Sequence, residues 1–115
     1  MAEVREPTFL VLIALADGRR HGYGVMQDVE KLSHGRTKLR AGTLYATLDR
    51  LTVDGLIEGA GEEVVDGRLR RYYRLTSRGS AVLEAESRQR LTVSREALRR
   101  LRVAGATPRL AGGLA

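Results

Sequence analysis

The 115-residue chain contains no cysteine. Disulfides, thiolate nucleophiles and cysteine-based zinc sites are thereby excluded, which agrees with a reducing compartment. Of its two histidines, His34 has no partner at metal-ligand spacing, and His21, beside Gly22, suits a turn or a helix cap; no metal site is expected. Apolar runs are short, none approaching the roughly 20 residues of a membrane span. Met1-Ala2-Glu3-Val4-Arg5 lacks the basic start and apolar centre of a secretory signal. A cytoplasmic protein with no membrane partner is expected. The sequence also holds no nucleophile paired with a base, no phosphate-binding glycine loop and no metal cluster, so neither catalysis nor a cofactor is expected. There is no internal repeat and no low-complexity tract.

What the chain does have is positive charge, unevenly placed. The formal net charge is +6, yet residues 1–67 carry 8 Lys/Arg against 11 Asp/Glu, whereas residues 68–102 carry 11 Arg against 3 Glu. A basic second half suits a polyanion binder, because neutralising phosphates releases counterions. It suits a solvated surface as well. Of the 20 basic residues 18 are arginine, the side chain that grips phosphate or guanine with two hydrogen bonds; a GC-rich genome would produce the same bias.

Residues 9–16 are an unbroken apolar run between Pro7-Thr8 and Asp17-Gly18. Its length would allow a buried strand, but Leu and Ala content, the Pro start and the Gly stop predict a helix. Being apolar on every face, that helix needs cover on more than one side, which points to a dimer contact through Phe9, Leu10 and Ile13 besides a core. A second, amphipathic helix is predicted over 22–33 from Val25, Met26, Val29 and Leu32. A turn at Gly35-Arg36-Thr37-Lys38 leads to a third helix over 41–54, with Leu44, Leu48 and Leu51 on one stripe and Gly55 as its stop.

Beyond Gly55 the period shortens. Leu56-Ile57-Glu58 and Val64-Val65-Asp66-Gly67-Arg68-Leu69 read as strand, turn and strand. With Asp66-Gly67 as the turn, Glu63 faces Arg70 and Glu62 faces Arg71. Thr76 is a suitable cap for a last helix over 77–103, with Gly79 tolerated in its first turn. That helix is strongly charged, and its apolar residues are sparse. Leu91 and Leu98 stand one heptad apart and, with Leu83 and Leu101, would meet a second chain. The predicted class is mainly α with a small β-hairpin, a winged helix-turn-helix over residues 1–76 followed by a dimerisation helix over 77–104 and a disordered tail over 105–115.

Several local strings sharpen this reading: His21-Gly22-Tyr23, Gly42-Thr43-Leu44-Tyr45-Ala46-Thr47-Leu48-Asp49-Arg50-Leu51, Asp54-Gly55-Leu56-Ile57, and Arg71-Tyr72-Tyr73-Arg74-Leu75-Thr76 followed by Gly79. In this order, over about two thirds of the chain, they resemble the PadR-like family of winged helix-turn-helix transcriptional regulators, and in particular its small members with a short C-terminal segment. The resemblance implies a homodimer, usually a repressor, whose third helix enters the major groove while the wing touches flanking backbone and the last helix builds the dimer. It also implies regulation by a small-molecule effector or by stress, acting through the dimer; the sequence names no effector. The family often has Ser-Pro where this chain has Arg40-Ala41, and the missing cap costs roughly 1 kcal/mol of helix stability. Some relatives hold flat aromatic drugs between tryptophans, and this chain has no Trp.

On the third helix, Thr43, Ala46, Thr47 and Arg50 fall on or beside the outer face and are the base-reading candidates, Arg50 for guanine at about 1 to 3 kcal/mol of discrimination. Lys38 and Arg40, just before that helix, are placed for phosphate. Arg68, Arg70 and Arg71 are the wing candidates, although Glu62 and Glu63 compete for two of them. Tyr23 and Tyr45 either donate to phosphates or pack between helices. The bland alternative for the whole set is a solvated face, on a winged-helix protein-interaction module with little DNA binding.

Overall fold

The computed structural model describes residues 3–105. Helix α1 (Glu6–Ala14) starts one turn earlier than the apolar run does. Pro7 sits in its first turn, where a missing N–H is not needed, and the Phe9 N–H donates to the Arg5 carbonyl at 2.9 Å. The chain's own core covers most of this apolar helix, Val11, Leu12 and Ala14 being fully buried. Leu10, expected at a dimer contact, is only 6% exposed and packs in that core; it leaves almost no surface for a second chain.

Helix α2 (Gly22–Leu32) follows directly on a two-residue strand, β1 (Arg20–His21), that the sequence did not announce. His21 caps α2, its Nδ1 accepting from the Gly24 N–H at 3.0 Å. At the other end His34 takes φ +53, while its N–H and that of Gly35 donate back to the Lys31 and Glu30 carbonyls. Helix α3 (Ala41–Val53) ends in the same way around Gly55 at φ +77, with the Gly55 and Leu56 N–H groups on the Thr52 and Leu51 carbonyls.

Strand β2 (Ile57–Val65) is longer than the two short pieces expected, because an irregularity between Gly59 and Glu62 carries the chain through one extra residue. It pairs antiparallel with β3 (Arg68–Leu75) in the expected register, Glu62 opposite Arg71 and Glu63 opposite Arg70. Asp66 and Gly67 both take positive φ, as the tight hairpin turn requires. β1 adds on the far edge of β3, giving the order β1-β3-β2. The core of Leu, Val and Ile gathers from α1, α2, α3 and the start of β2.

Thr76 opens α4 (Ser77–Val103), its Oγ1 accepting from the Gly79 N–H at 3.0 Å and donating to the Gly55 carbonyl at 2.6 Å. Gly79 is more than tolerated: it is buried, and a Cβ there would overlap the Leu56 carbonyl oxygen. The chain forms two compact units, Met1–Glu84 and Ala85–Ala115. In the first, Val82 and Leu83 pack against the core. In the second, the described part of α4 exposes Leu91, Val93, Leu98 and Leu101 and carries the ion pairs Arg90–Glu86, Arg99–Glu96 and Arg100–Glu96. The tail expected from residue 105 lies, from residue 106 on, outside the described residues. Among the described residues no helix is long and apolar enough to cross a membrane.

Candidate nucleic-acid interface

Helix α3 buries one stripe and exposes the rest. Leu44, Thr47, Leu48 and Leu51 recur at helical spacing and are buried, while Thr43, Tyr45, Ala46, Asp49 and Arg50 are exposed. Thr47 therefore does not lie beside the outer face, as its sequence position suggested. It is 7% exposed, with its hydroxyl donating to the Thr43 carbonyl at 2.9 Å, so it is no longer a base-reading candidate. Thr43, Ala46 and Arg50 keep the outward face.

The approach to α3 is cationic. Leu39 is half-buried against the core, and the flanking Lys38 and Arg40 are exposed. Arg40 occupies the cap position without a side-chain hydrogen bond, as expected from the missing Ser-Pro. Leu39 thus anchors the segment while both cations remain in solvent beside the first free N–H groups of the helix. Arg36, passed over in the choice of candidates, is exposed in the same turn.

Tyr45 is 45% exposed, and its ring rests over Gly22 at the start of α2. Tyr23 on the next position of α2 is 61% exposed. The packing alternative thus applies to Tyr45, which is half-buried on a glycine with its hydroxyl at the junction of α2 and α3. In the sequence His21-Gly22 marked only the opening of the second helix, whereas the structure shows that Gly22 seats an aromatic ring.

The wing divides its arginines. Arg68, beside the turn, is exposed; Arg71 pairs with Glu62 at 3.4 Å; Arg74 pairs with Glu58 at 2.8 Å. Arg70 does not engage Glu63 as an ion pair. Glu63 instead accepts from the Tyr72 hydroxyl at 2.6 Å, and this carboxylate holds the Tyr72 phenol above its ordinary value, with Arg70 opposing. Tyr73 faces the core side and its phenol is also raised, first by burial and then by the charges of Asp49 and Tyr45. Lys38, Arg40, Arg50 and Arg68 have no side-chain hydrogen bond or ion pair among the described residues.

Arg50 also lines a cleft of about 830 Å³ together with Arg5 and Arg78. Neither of those two was a candidate, since neither belongs to a recognisable string. Among the described residues no group of His, Cys, Asp and Glu could hold a metal ion.

The sequence pattern of the Transcriptional regulator PadR-like family matches residues 11–85, from α1 into α4. The chain belongs to this family. PadR-like proteins are transcriptional regulators and not enzymes. The chain is 41% identical over 88 residues to Transcriptional regulator Rv3488 of Mycobacterium tuberculosis, spanning 76% of this chain and 78% of that protein. Among solved structures it is similar to a PadR family transcription regulator from Clostridium difficile, with a TM-score of 0.70 at 22% identity over 84% of this chain and 99% of the other. It is likewise similar to Bacillus subtilis PadR in complex with operator DNA, with a TM-score of 0.62 at 21% identity over 70% of this chain and 46% of that chain. These likenesses establish a mainly helical winged-helix fold with a three-stranded antiparallel sheet and a long C-terminal helix.

Proposed function

We propose that this PadR-like chain is a sequence-specific, double-stranded DNA-binding regulator, a repressor acting as a homodimer on an inverted-repeat operator in the bacterial cytoplasm. The observation that carries this reading is the set of exposed cations without protein partners, Lys38 and Arg40 before α3, Arg50 on its outer face and Arg68 at the wing turn. Arg50 reads guanine with two hydrogen bonds, and Thr43 and Ala46 meet thymine methyls or the backbone. Lys38, Arg40 and Arg68 position the protein on phosphates, joined by the hydroxyl of Tyr23, while Tyr45 packs on Gly22. Arg70 and Arg71 contribute once their contacts with Tyr72 and Glu62 are exchanged for phosphate. The bound operator of Bacillus subtilis PadR supports the reading as a property of a protein with this fold.

In this proposal residues 1–76 bind DNA and 77–104 dimerise. The exposed Leu91, Leu98 and Leu101 of α4 meet their counterparts in a second chain, assisted by Phe9, Ile13 and Leu83 of the first unit. Two α3 helices then address half-sites about 34 Å apart. A small-molecule effector would act by favouring a dimer in which that spacing is wrong.

Fluorescence anisotropy with the duplex upstream of the protein's own gene, with a scrambled duplex, and with Arg50→Ala tests the reading. Tight, selective binding whose affinity falls steeply with salt is expected, since roughly six to ten phosphate contacts give a slope of that order in log units. Arg50→Ala should weaken selectivity. No binding to either duplex at low salt would leave the winged helix as a protein-interaction module.

A further inference from the structure

Beyond the irregularity at Gly59 and Glu62 the wing is two-stranded, because β1 pairs only with Tyr72 and Tyr73 of β3. An isolated two-stranded hairpin is marginal in water, so the direction of the wing has to be fixed by ties to the rest of the fold. Two such ties start from the residues before α2. The Arg19 guanidinium donates through Nη1 to the Ala60 carbonyl at 2.8 Å, and its Cζ lies 4.2 Å above the centroid of the Tyr72 ring. His21, the α2 cap, stacks on the same ring at 5.5 Å between centroids. Tyr72 passes the connection on through its hydroxyl to Glu63, on the distal side of the irregularity.

Ala60 sits inside that irregularity, next to Gly61 at φ +106. An extra residue there disrupts the ladder and bends the strand, so the angle of the distal wing depends on what holds the bulge. Arg19 holds it from across β3. A Cβ at Gly61 would stand 3.0 Å from Arg19 Nη1, so the bare glycine lets the guanidinium reach the carbonyl. Arg19 and Tyr72 lay outside the sites chosen from the sequence, because their partners are 41 residues apart for Arg19 and Ala60 and meet only in the folded sheet.

We infer that Arg19 is a positioning residue for the wing: it clamps the Ala60–Gly61 bulge onto the Tyr72 ring and thereby sets where Arg68 is presented relative to α3. Arg19 is not itself a DNA contact in this arrangement. Its effect on DNA rests on the proposed DNA-binding function, whereas its hold on the wing does not.

Two measurements on the full chain separate these levels. In the free protein, amide nitrogen relaxation should show the distal wing amides dropping from rigid order parameters of about 0.85 toward 0.6 in Arg19→Ala, with α1 to α3 unchanged and Arg19→Lys intermediate. Unchanged wing order in Arg19→Ala overturns the clamp, whether or not the protein binds DNA. If the wing loosens but even the wild-type protein binds no DNA, the clamp stands and the DNA-binding function fails. For a binding wild type, a cycle of Arg19→Ala and Arg68→Ala on the upstream duplex should be non-additive: Arg19→Ala loses about tenfold in affinity alone and almost nothing when Arg68 is already gone. Equal losses in both backgrounds would make Arg19 an independent phosphate contact and overturn its positioning role.

Discussion

The phenol ring of Tyr45, on α3, lies so close over Gly22, on α2, that a Cβ at position 22 would overlap its hydroxyl. Gly22 is the first residue of α2, and its missing Cβ leaves the space that the ring occupies. The consequence is a fixed relation between the helix before the turn and the helix after it.

That relation predicts a change of sign. Gly22→Ala should destabilise the wild-type protein by about 1 kcal/mol or more, because the Tyr45 ring must swing out of its seat. In a Tyr45→Ala background the same substitution should stabilise by about 0.4 to 1 kcal/mol, because alanine restricts the unfolded chain and no ring then opposes its Cβ. Urea midpoints of the four proteins decide it. A Gly22→Ala effect of the same size in both backgrounds would show that the ring does not occupy this seat in solution.

Thr47 shares α3 with the exposed Thr43, Ala46 and Arg50 but faces the core. Its hydroxyl is satisfied inside the helix by the Thr43 carbonyl, so Thr47→Val keeps shape and removes one internal hydrogen bond. A stability loss of about 1 kcal/mol is expected with no change in base preference. Binding to a panel of operator duplexes with single-base changes checks this. A preference altered as strongly as by Arg50→Ala would place Thr47 at the DNA after all.

Much of this was legible in the sequence because local chemistry and fold agree at those points. Asp66-Gly67 is a turn that tolerates positive φ twice, and it fixed the pairing of Glu62 with Arg71 without any tertiary information. Thr76 and Gly55 likewise mark helix ends through their own conformational preferences. What stayed hidden depends on approach between distant segments. Strand β1 is only Arg20 and His21, too short for a period, and exists because β3 offers it an edge. Leu10 looked available to a partner because a sequence shows that a helix is apolar, not which of its faces the same chain covers. Thr47 was misplaced although its spacing from Leu44, Leu48 and Leu51 puts it on the buried stripe, and only its hydroxyl suggested the outer face. Gly22 and Gly79 read as helix-start glycines, and their close neighbours, Tyr45 and Leu56, lie far along the chain.

Gly79 supplies a contrasting case to Gly22, for its obstacle is backbone. A Cβ there meets the Leu56 carbonyl, which also accepts from the Thr76 N–H at 3.1 Å and so cannot retreat without loosening the α4 cap. Gly79→Ala should therefore cost about 3 kcal/mol or more, at the upper end of overpacking effects. Thr76→Ala, which removes the cap but leaves the contact intact, should cost about 1 kcal/mol. Thermal denaturation distinguishes them, since about 1 kcal/mol moves the midpoint by roughly 4 to 8 °C in a domain of this size. Equal midpoints would mean that α4 can shift away from Leu56 at little cost.

In the second unit, Arg99 and then Arg100 hold the Glu96 carboxyl below its ordinary value of 4.5. A carboxylate whose value is lowered on folding stabilises the folded form above the unfolded value. That contribution disappears as pH falls through the lower, folded value. Helicity of α4 should thus gain from Glu96 at neutral pH and lose the gain in acid. Glu96 is exposed to solvent, so the effect is small and screened by salt. Far-UV circular dichroism of Glu96→Gln against wild type should show a deficit at neutral pH that closes as acid protonates Glu96, and that shrinks in about 1 M salt. Arg99→Gln should reproduce most of it, because its guanidinium makes two hydrogen bonds to Glu96, at 3.1 and 2.7 Å. A deficit that persists unchanged in acid would trace to the helix propensity of the new residue, and the Glu96–Arg99 pair would then contribute nothing to holding α4.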